Sequence, residues 1–134
     1  MNKEYQANKE AYGELFRAAR EVLPNAYVPF SHFQVGAALL TEDGDVITGV
    51  NIENSSYGAT ICAERTACVK ALSEGYRKFK AIAVTSSGGI AFPCGICRQF
   101  LYEFAPDLIV ILGEDEDHLM QYTLKELLPE GFRL

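Results

Sequence analysis

The chain has no apolar run near the roughly 18 residues that a membrane-spanning helix needs, so no membrane association is expected. Nor is there a run of lysines or arginines. Twelve basic residues stand against 18 acidic ones, giving a formal charge of −6. A polyanion such as DNA or RNA is repelled on average by that balance, which favours a small, nearly neutral ligand. The opening residues Met1-Asn2-Lys3-Glu4 lack the apolar core of a secretory signal, so a cytoplasmic location is expected. Internal repeats, linkers and low-complexity segments are missing too. At 134 residues, 49% hydrophobic and 22% charged, the composition suits a folded chain, and one domain over 1–134 is expected.

Cysteine is scarce: Cys62, Cys68, Cys94 and Cys97. In a reducing compartment disulfides rarely persist, and clustered cysteines point to metal instead. The two histidines, His32 and His118, stand at no ligand spacing from another candidate. The stretch Glu114-Asp115-Glu116-Asp117 invites a cation-binding reading, but adjacent carboxylates mostly serve solubility, and a solvated loop is expected.

Apolar residues recur every three or four positions over 12–23, which predicts a first helix ended by Pro24-Asn25. Residues 33–40 and 46–52 read as strands, and the Asp43-Gly44 pair between them is a hairpin signal. A second helix is predicted over 62–72, closed near Gly75, and a buried strand over 81–85. A third helix follows Pro93-Cys94-Gly95, running over 96–104 until Pro106. Residues 108–112 form an aliphatic run that fits a strand buried on both faces. A short last helix is expected over 124–128. This order argues for one mixed sheet with helices on both faces.

Cys94-Gly95-Ile96-Cys97 is a C-x-x-C at a predicted helix start. Two thiols at that spacing can chelate one ion, and a helix N-terminus favours their thiolate forms. Redox pairs and zinc fingers share the motif, so alone it decides little. Cys62-Ala63-Glu64 adds a third thiol, also at a helix start. Three protein ligands leave the fourth tetrahedral position for water, the mark of a catalytic zinc. Glu64 lies roughly 200° around an ideal helix from Cys62, so the two do not share the ion. A carboxylate held beside that water is a proton carrier. Cys68 falls off this helical face, between Ala67 and Val69, and reads as a buried thiol rather than a fourth ligand.

C-A-E at 62–64 followed by P-C-G-I-C at 93–97 resembles a recognised zinc-deaminase pattern, with Cys in place of the usual His. The chain resembles the homotetrameric class of cytidine deaminases along most of its length. The resemblance runs through Tyr27-Val-Pro-Phe-Ser-His-Phe-Gln-Val-Gly-Ala-Ala-Leu39, Val50-Asn-Ile-Glu-Asn54, Tyr57, Cys62-Ala-Glu-Arg-Thr-Ala67, Pro93-Cys-Gly-Ile-Cys-Arg-Gln99 and Glu126-Leu-Leu-Pro129. It departs at Gln34, where Pro is usual, and at Cys68, an aliphatic position. The expected fold is α/β, a three-layer αβα sandwich with a mixed five-stranded sheet and helices on both faces.

The resemblance implies one zinc per chain on Cys62, Cys94 and Cys97, with Glu64 as catalytic acid and base. It implies that Asn51 and Glu53 hold the ribose hydroxyls; alternation along a strand also puts these two on one side. Phe33 would pack against the nucleoside, Ala63 would line the substrate site, and Phe132 would cover the base in a neighbouring subunit of a homotetramer with active sites at its interfaces. Three thiolates on Zn²⁺ sum to −1, and the resemblance suggests that Arg65 hydrogen-bonds a sulfur and withdraws charge. For Arg98, an ordinary exposed helix arginine is a fair competitor.

The implied activity is zinc-dependent hydrolysis of cytidine and deoxycytidine to uridine and deoxyuridine plus ammonia, a pyrimidine-salvage reaction. Three alternatives stay open. A deaminase resembling that for blasticidin S shares C-A-E and P-C-G-x-C-R-Q but lacks the intact Asn51-Ile52-Glu53-Asn54 segment. A polynucleotide-editing enzyme sits poorly with the −6 charge. A noncatalytic zinc module needs four closed ligands.

Overall fold

Helix α1 spans Lys3–Glu21 and turns a stripe containing Leu15, Phe16 and Ala19 onto one face of a sheet. The structure, a computed structural model, describes residues 3–134; Met1 and Asn2, which open the stretch read as lacking a secretory signal, lie outside them. The helix starts well before position 12, where the apolar periodicity begins. Residues 3–11 are rich in Lys, Glu, Gln and Ala, good helix formers that carry no apolar signal. Asn8 anchors this turn: its buried Nδ2 donates to the Leu119 carbonyl at 2.7 Å. Pro24 then sits in a single 3-10 turn, Leu23–Asn25.

Strands β1 (Val35–Thr41) and β2 (Val46–Val50) form the expected hairpin, with Gly44 at φ +92° in the turn. The other three strands are β3 (Phe79–Ser86), β4 (Ile109–Gly113) and β5 (Leu119–Thr123), and the sheet order is β2-β1-β3-β4-β5. The β3–β4 pair is parallel and the rest are antiparallel. Strand β5 had no counterpart in the residue-level reading. Its sequence Leu-Met-Gln-Tyr-Thr buries only Leu119 fully, as an edge strand does, and so carries little hydrophobic signal.

Helices α2 (Ala63–Ser73), α3 (Gly95–Phe104) and α4 (Leu124–Leu127) cover the face opposite α1. On that side Ala67, Cys68 and Leu101 pack with Leu39, Ile82, Val84 and Val110. On the α1 side Phe16 and Ala19 pack with Ala38, Ala81, Ala83 and Ile111. The period-two alternation along β3 serves two cores at once, which is why that strand reads as a continuous apolar run. The three-layer αβα sandwich is the expected one.

Strand direction places the site. β2 and β3 both run antiparallel to β1, so they share one sense and end at the same sheet edge. The segment after β2 leads to α2, and the segment after β3 leads to α3. Both helix N-termini therefore arrive at one edge, beyond the carboxyl ends of the strands. Gly49 lets α2 lie close to the sheet: a Cβ there would sit 2.4 Å from the Ala67 nitrogen and 2.7 Å from the Ala63 carbonyl oxygen.

Candidate metal centre and pocket

Cys62 and Cys94 are the N-cap residues of α2 and α3, both in extended backbone conformation. Cys97 lies one turn into α3, and its backbone N–H reaches the Cys94 sulfur at 3.5 Å. The Cys62–Cys94 Sγ separation is 3.8 Å and Cys94–Cys97 is 3.4 Å, and all three sulfurs lie within 4.8 Å of one another. Four ligands at Zn–S distances of about 2.3 Å in a tetrahedron put sulfurs about 3.8 Å apart, so the donor set fits zinc. The spacing is far from the roughly 2.05 Å of a disulfide, and all four cysteines are free thiols. Cys68 is fully buried away from this cluster, and burial pushes its thiol up to about 11, as suits an inert apolar group.

A hydrogen bond from the Cys97 side chain, helped by the Arg65 guanidinium, lowers the Cys62 thiol to about 5; Cys97, which keeps the shared proton, is raised. Arg65 Nη2 stands 3.6 Å from the Cys62 sulfur, while its buried Nε has no partner. A cation is thus already directed at the sulfurs.

Glu64 occupies the first turn of α2 and is only 4% exposed. Burial pushes its carboxyl up to about 7, and the nearby charge of Cys62 acts in the same direction. It lies at a cleft of about 290 Å³ whose lining also includes Phe33, Asn51, Glu53, Ala63, Phe92 and Cys94. Asn51 and Glu53 sit beyond the end of β2, yet the chain stays extended through the Tyr27–Ile52 and Ile52–Ile61 bridges, so their side chains share the pocket. The Asn51 amide accepts from the Val35 N–H at 2.9 Å and donates to the Phe33 carbonyl at 2.8 Å. Glu53 accepts from the backbone N–H groups of Phe30 and Ser31 and from the Ser31 hydroxyl. These bonds, the hydroxyl's first, hold its carboxyl below the ordinary range.

Phe132 is not brought to this pocket. It is 64% exposed, and its backbone pairs with the Gln99 side chain. Phe92 and Ile61 line the cleft and were missed; for Phe92 the signal was its place directly before Pro93-Cys94. Arg98 is not a free helix arginine, because its guanidinium bonds two backbone carbonyls. The acidic stretch forms the β4–β5 turn, where Glu116 pairs with Arg17 and Asp117 with Lys9 of α1, while His118 pairs with Asp115.

Three thiols at two helix starts, with a buried carboxyl beside them at the floor of a cleft, define a zinc-binding hydrolytic site. The chain belongs to the family described as the cytidine and deoxycytidylate deaminase zinc-binding region, whose model matches residues 9–113. It is 52% identical over 120 residues to a cytidine deaminase of Halalkalibacterium halodurans, covering 88% of this chain and 91% of the relative. A probable cytidine deaminase of Dictyostelium discoideum is 50% identical over 127 residues, 93% of this chain and 86% of the relative. The crystal structure of a cytidine deaminase from Burkholderia pseudomallei superposes with a TM-score of 0.85 at 45% identity, covering 90% of this chain and 98% of that one.

The cluster generates a direct test. Purified protein is expected to carry one zinc per chain, and Cys94→Ala is expected to lose it. Atomic absorption on freshly prepared protein decides this, and a zinc-free wild type removes the metal reading.

Proposed function

We propose that the protein is a cytidine deaminase, hydrolysing cytidine and deoxycytidine to uridine and deoxyuridine with release of ammonia. The observation that carries the proposal is Glu64, buried beside three converging thiols at a cleft that also offers Asn51 and Glu53. Cys62, Cys94 and Cys97 would hold a zinc ion, which when bound would supply Lewis acidity toward a water. Glu64 would accept a proton from the water whose oxygen bonds to C4 and deliver it to ring N3, so that C4 becomes tetrahedral as the ring nitrogen is protonated. It would then move the second proton from that oxygen to the amino nitrogen, so that the C4–N bond breaks, ammonia leaves and a carbonyl remains at C4. A carboxyl held near neutrality by burial suits both directions of transfer. Arg65 draws charge from the Cys62 sulfur and so preserves the pull of a centre that carries three thiolates.

Asn51 and Glu53 are assigned to the sugar hydroxyls, and Phe33 and Ala63 to the nucleoside's apolar surface. Supporting this, each polar side chain is fixed by its own backbone bonds and keeps acceptor capacity toward the cleft. The assembly is proposed as a homotetramer with active sites at its interfaces and Phe132 reaching a neighbouring site. The pinned tail and exposed Phe132 ring support that reading. A cytoplasmic location completes the proposal; no helix among the described residues is long and apolar enough to cross a membrane.

Glu64→Gln keeps the side chain's shape and leaves the zinc ligands in place but cannot shuttle a proton. Its kcat is expected to fall by about 10²–10⁴-fold with zinc content unchanged. A variant turning over cytidine at the wild-type rate sends the proton by another route.

Free cytosine lacks the groups that Asn51 and Glu53 hold, so it is expected to be roughly 10- to 150-fold poorer than cytidine in kcat/KM. Ammonia release from cytosine, cytidine, deoxycytidine and blasticidin S checks this. Equal turnover of base and nucleoside refutes the sugar assignment, and a preference for blasticidin S favours that alternative.

Deleting residues 131–134 is expected to raise KM for cytidine while zinc and fold are kept. Steady-state kinetics, with light scattering to follow the oligomer, test it; an unchanged KM in an unchanged tetramer leaves Phe132 an ordinary tail residue.

A further inference from the structure

Arg98 follows Cys97 directly and lies one helical turn after Cys94. Its backbone N–H bonds the Cys94 carbonyl at 3.0 Å, and its Nε donates to the Pro93 carbonyl at 2.7 Å. One residue therefore holds both peptide carbonyls that flank the Cys94 α-carbon. Its Nη1 donates to the Leu127 carbonyl, also at 2.7 Å. Leu127 is the last residue of α4, where carbonyls have no partner within the helix. The anchor at that end is firm, because Leu124 is fully buried and Thr123 and Glu126 close a capping box.

Cys94 is where such a tether has most to do. Of the three thiol residues it is the exposed one, whereas Cys97 is buried and Cys62 half-buried. Packing therefore constrains Cys94 least.

We propose that Arg98 is a positioning residue of the metal centre, tying the Pro93-Cys94 peptide to the end of α4 and so fixing the direction of the Cys94 sulfur. The proposal rests on the three-thiolate reading of the site. A lysine is a poor substitute: its ammonium places all its donors at one point on a flexible stem, whereas Nε and Nη1 of the planar guanidinium meet the two carbonyls at a fixed separation.

The test compares zinc-loaded wild type, Arg98→Met, Arg98→Lys and Arg77→Ala for the rate of zinc transfer to a chromophoric chelator, alongside each protein's Tm. Arg77 serves as the control because its Nη1 also bonds two carbonyls, those of Leu72 and Tyr76, at the far end of α2. Partners that orient metal ligands typically alter metal affinity about 10- to 100-fold, and zinc release from both Arg98 variants is expected to speed up on that scale. Arg77→Ala is expected to release zinc at the wild-type rate. Folded Arg98 variants that release zinc no faster than wild type overturn the proposal, as does equal acceleration in Arg77→Ala at a matching loss of Tm. Should Arg98→Met fail to fold, Arg98→Lys, which keeps the charge and most of the stem, decides. Absence of zinc from wild type instead defeats the metal reading itself, whatever the Arg98 variants do.

Discussion

Three sulfur atoms within 4.8 Å of one another, carried by helices that begin more than thirty residues apart in the chain, require both helix N-termini to meet at one point. The sheet's mixed order answers that requirement. Because β1 runs against both of its neighbours, β2 and β3 end at the same edge. Had one of them run the other way, its end would lie a strand length off, about 17 Å for five residues, far beyond the reach of a cysteine. Gly49 then settles the remaining distance, since any side chain there would lift α2 and Cys62 with it.

Bringing thiols together also concentrates charge. Three thiolates against a divalent cation leave −1, and two helix starts together with Arg65 oppose it. Glu64 stands in the first turn of the same helix, where a helix dipole contributes about 0.3–1 kcal/mol toward keeping a carboxylate ionised. One pKa unit corresponds to about 1.4 kcal/mol, so the dipole alone moves a carboxyl by less than a unit. Burial outweighs it and raises Glu64 to about 7. The same helix start thus stabilises a charged sulfur at its cap and holds a neutral-leaning acid two residues further on, because one is half open and the other enclosed.

The parts of this arrangement that were readable in the sequence are those with a local signature. C-A-E and P-C-G-I-C announce donor chemistry at fixed spacing, and Asp43-Gly44 announces a hairpin. The core faces of β1, β3 and β4 follow from their aliphatic runs. What was not legible depends on partners distant in the chain. The first turns of α1 have no apolar period and are held by Asn8 against Leu119. Strand β5 is an edge strand with one fully buried residue, so its pairing with β4, rather than its own pattern, defines it. Arg98 looks like any helix arginine until Leu127 is placed beside it. The acidic stretch read as solvated, and its pairing to Arg17 and Lys9 again needed the tertiary structure.

The pocket's polar groups show how a small site can be ready before its ligand arrives. Asn51 bridges the backbone on either side of Gln34, and Glu53 gathers the N–H groups of Phe30 and Ser31. Each is thereby tied by hydrogen bonds to the loop that carries Phe33, which joins the aromatic wall to the polar rim. On the proposed reading this lowers the ordering cost when a nucleoside binds, because no side chain must be recruited from solvent. It also biases the choice of sugar. Among the described residues no lysine, arginine or histidine lines the cleft, while the pKa of Glu53 there is lowered by the Ser31 hydroxyl and backbone donors. On the proposed reading a 5′-phosphate brought beside Glu53 would meet like charge, whereas neutral hydroxyls would find acceptors held in place. On that reading the hydrogen bonds that fix the loop also favour an unphosphorylated nucleoside.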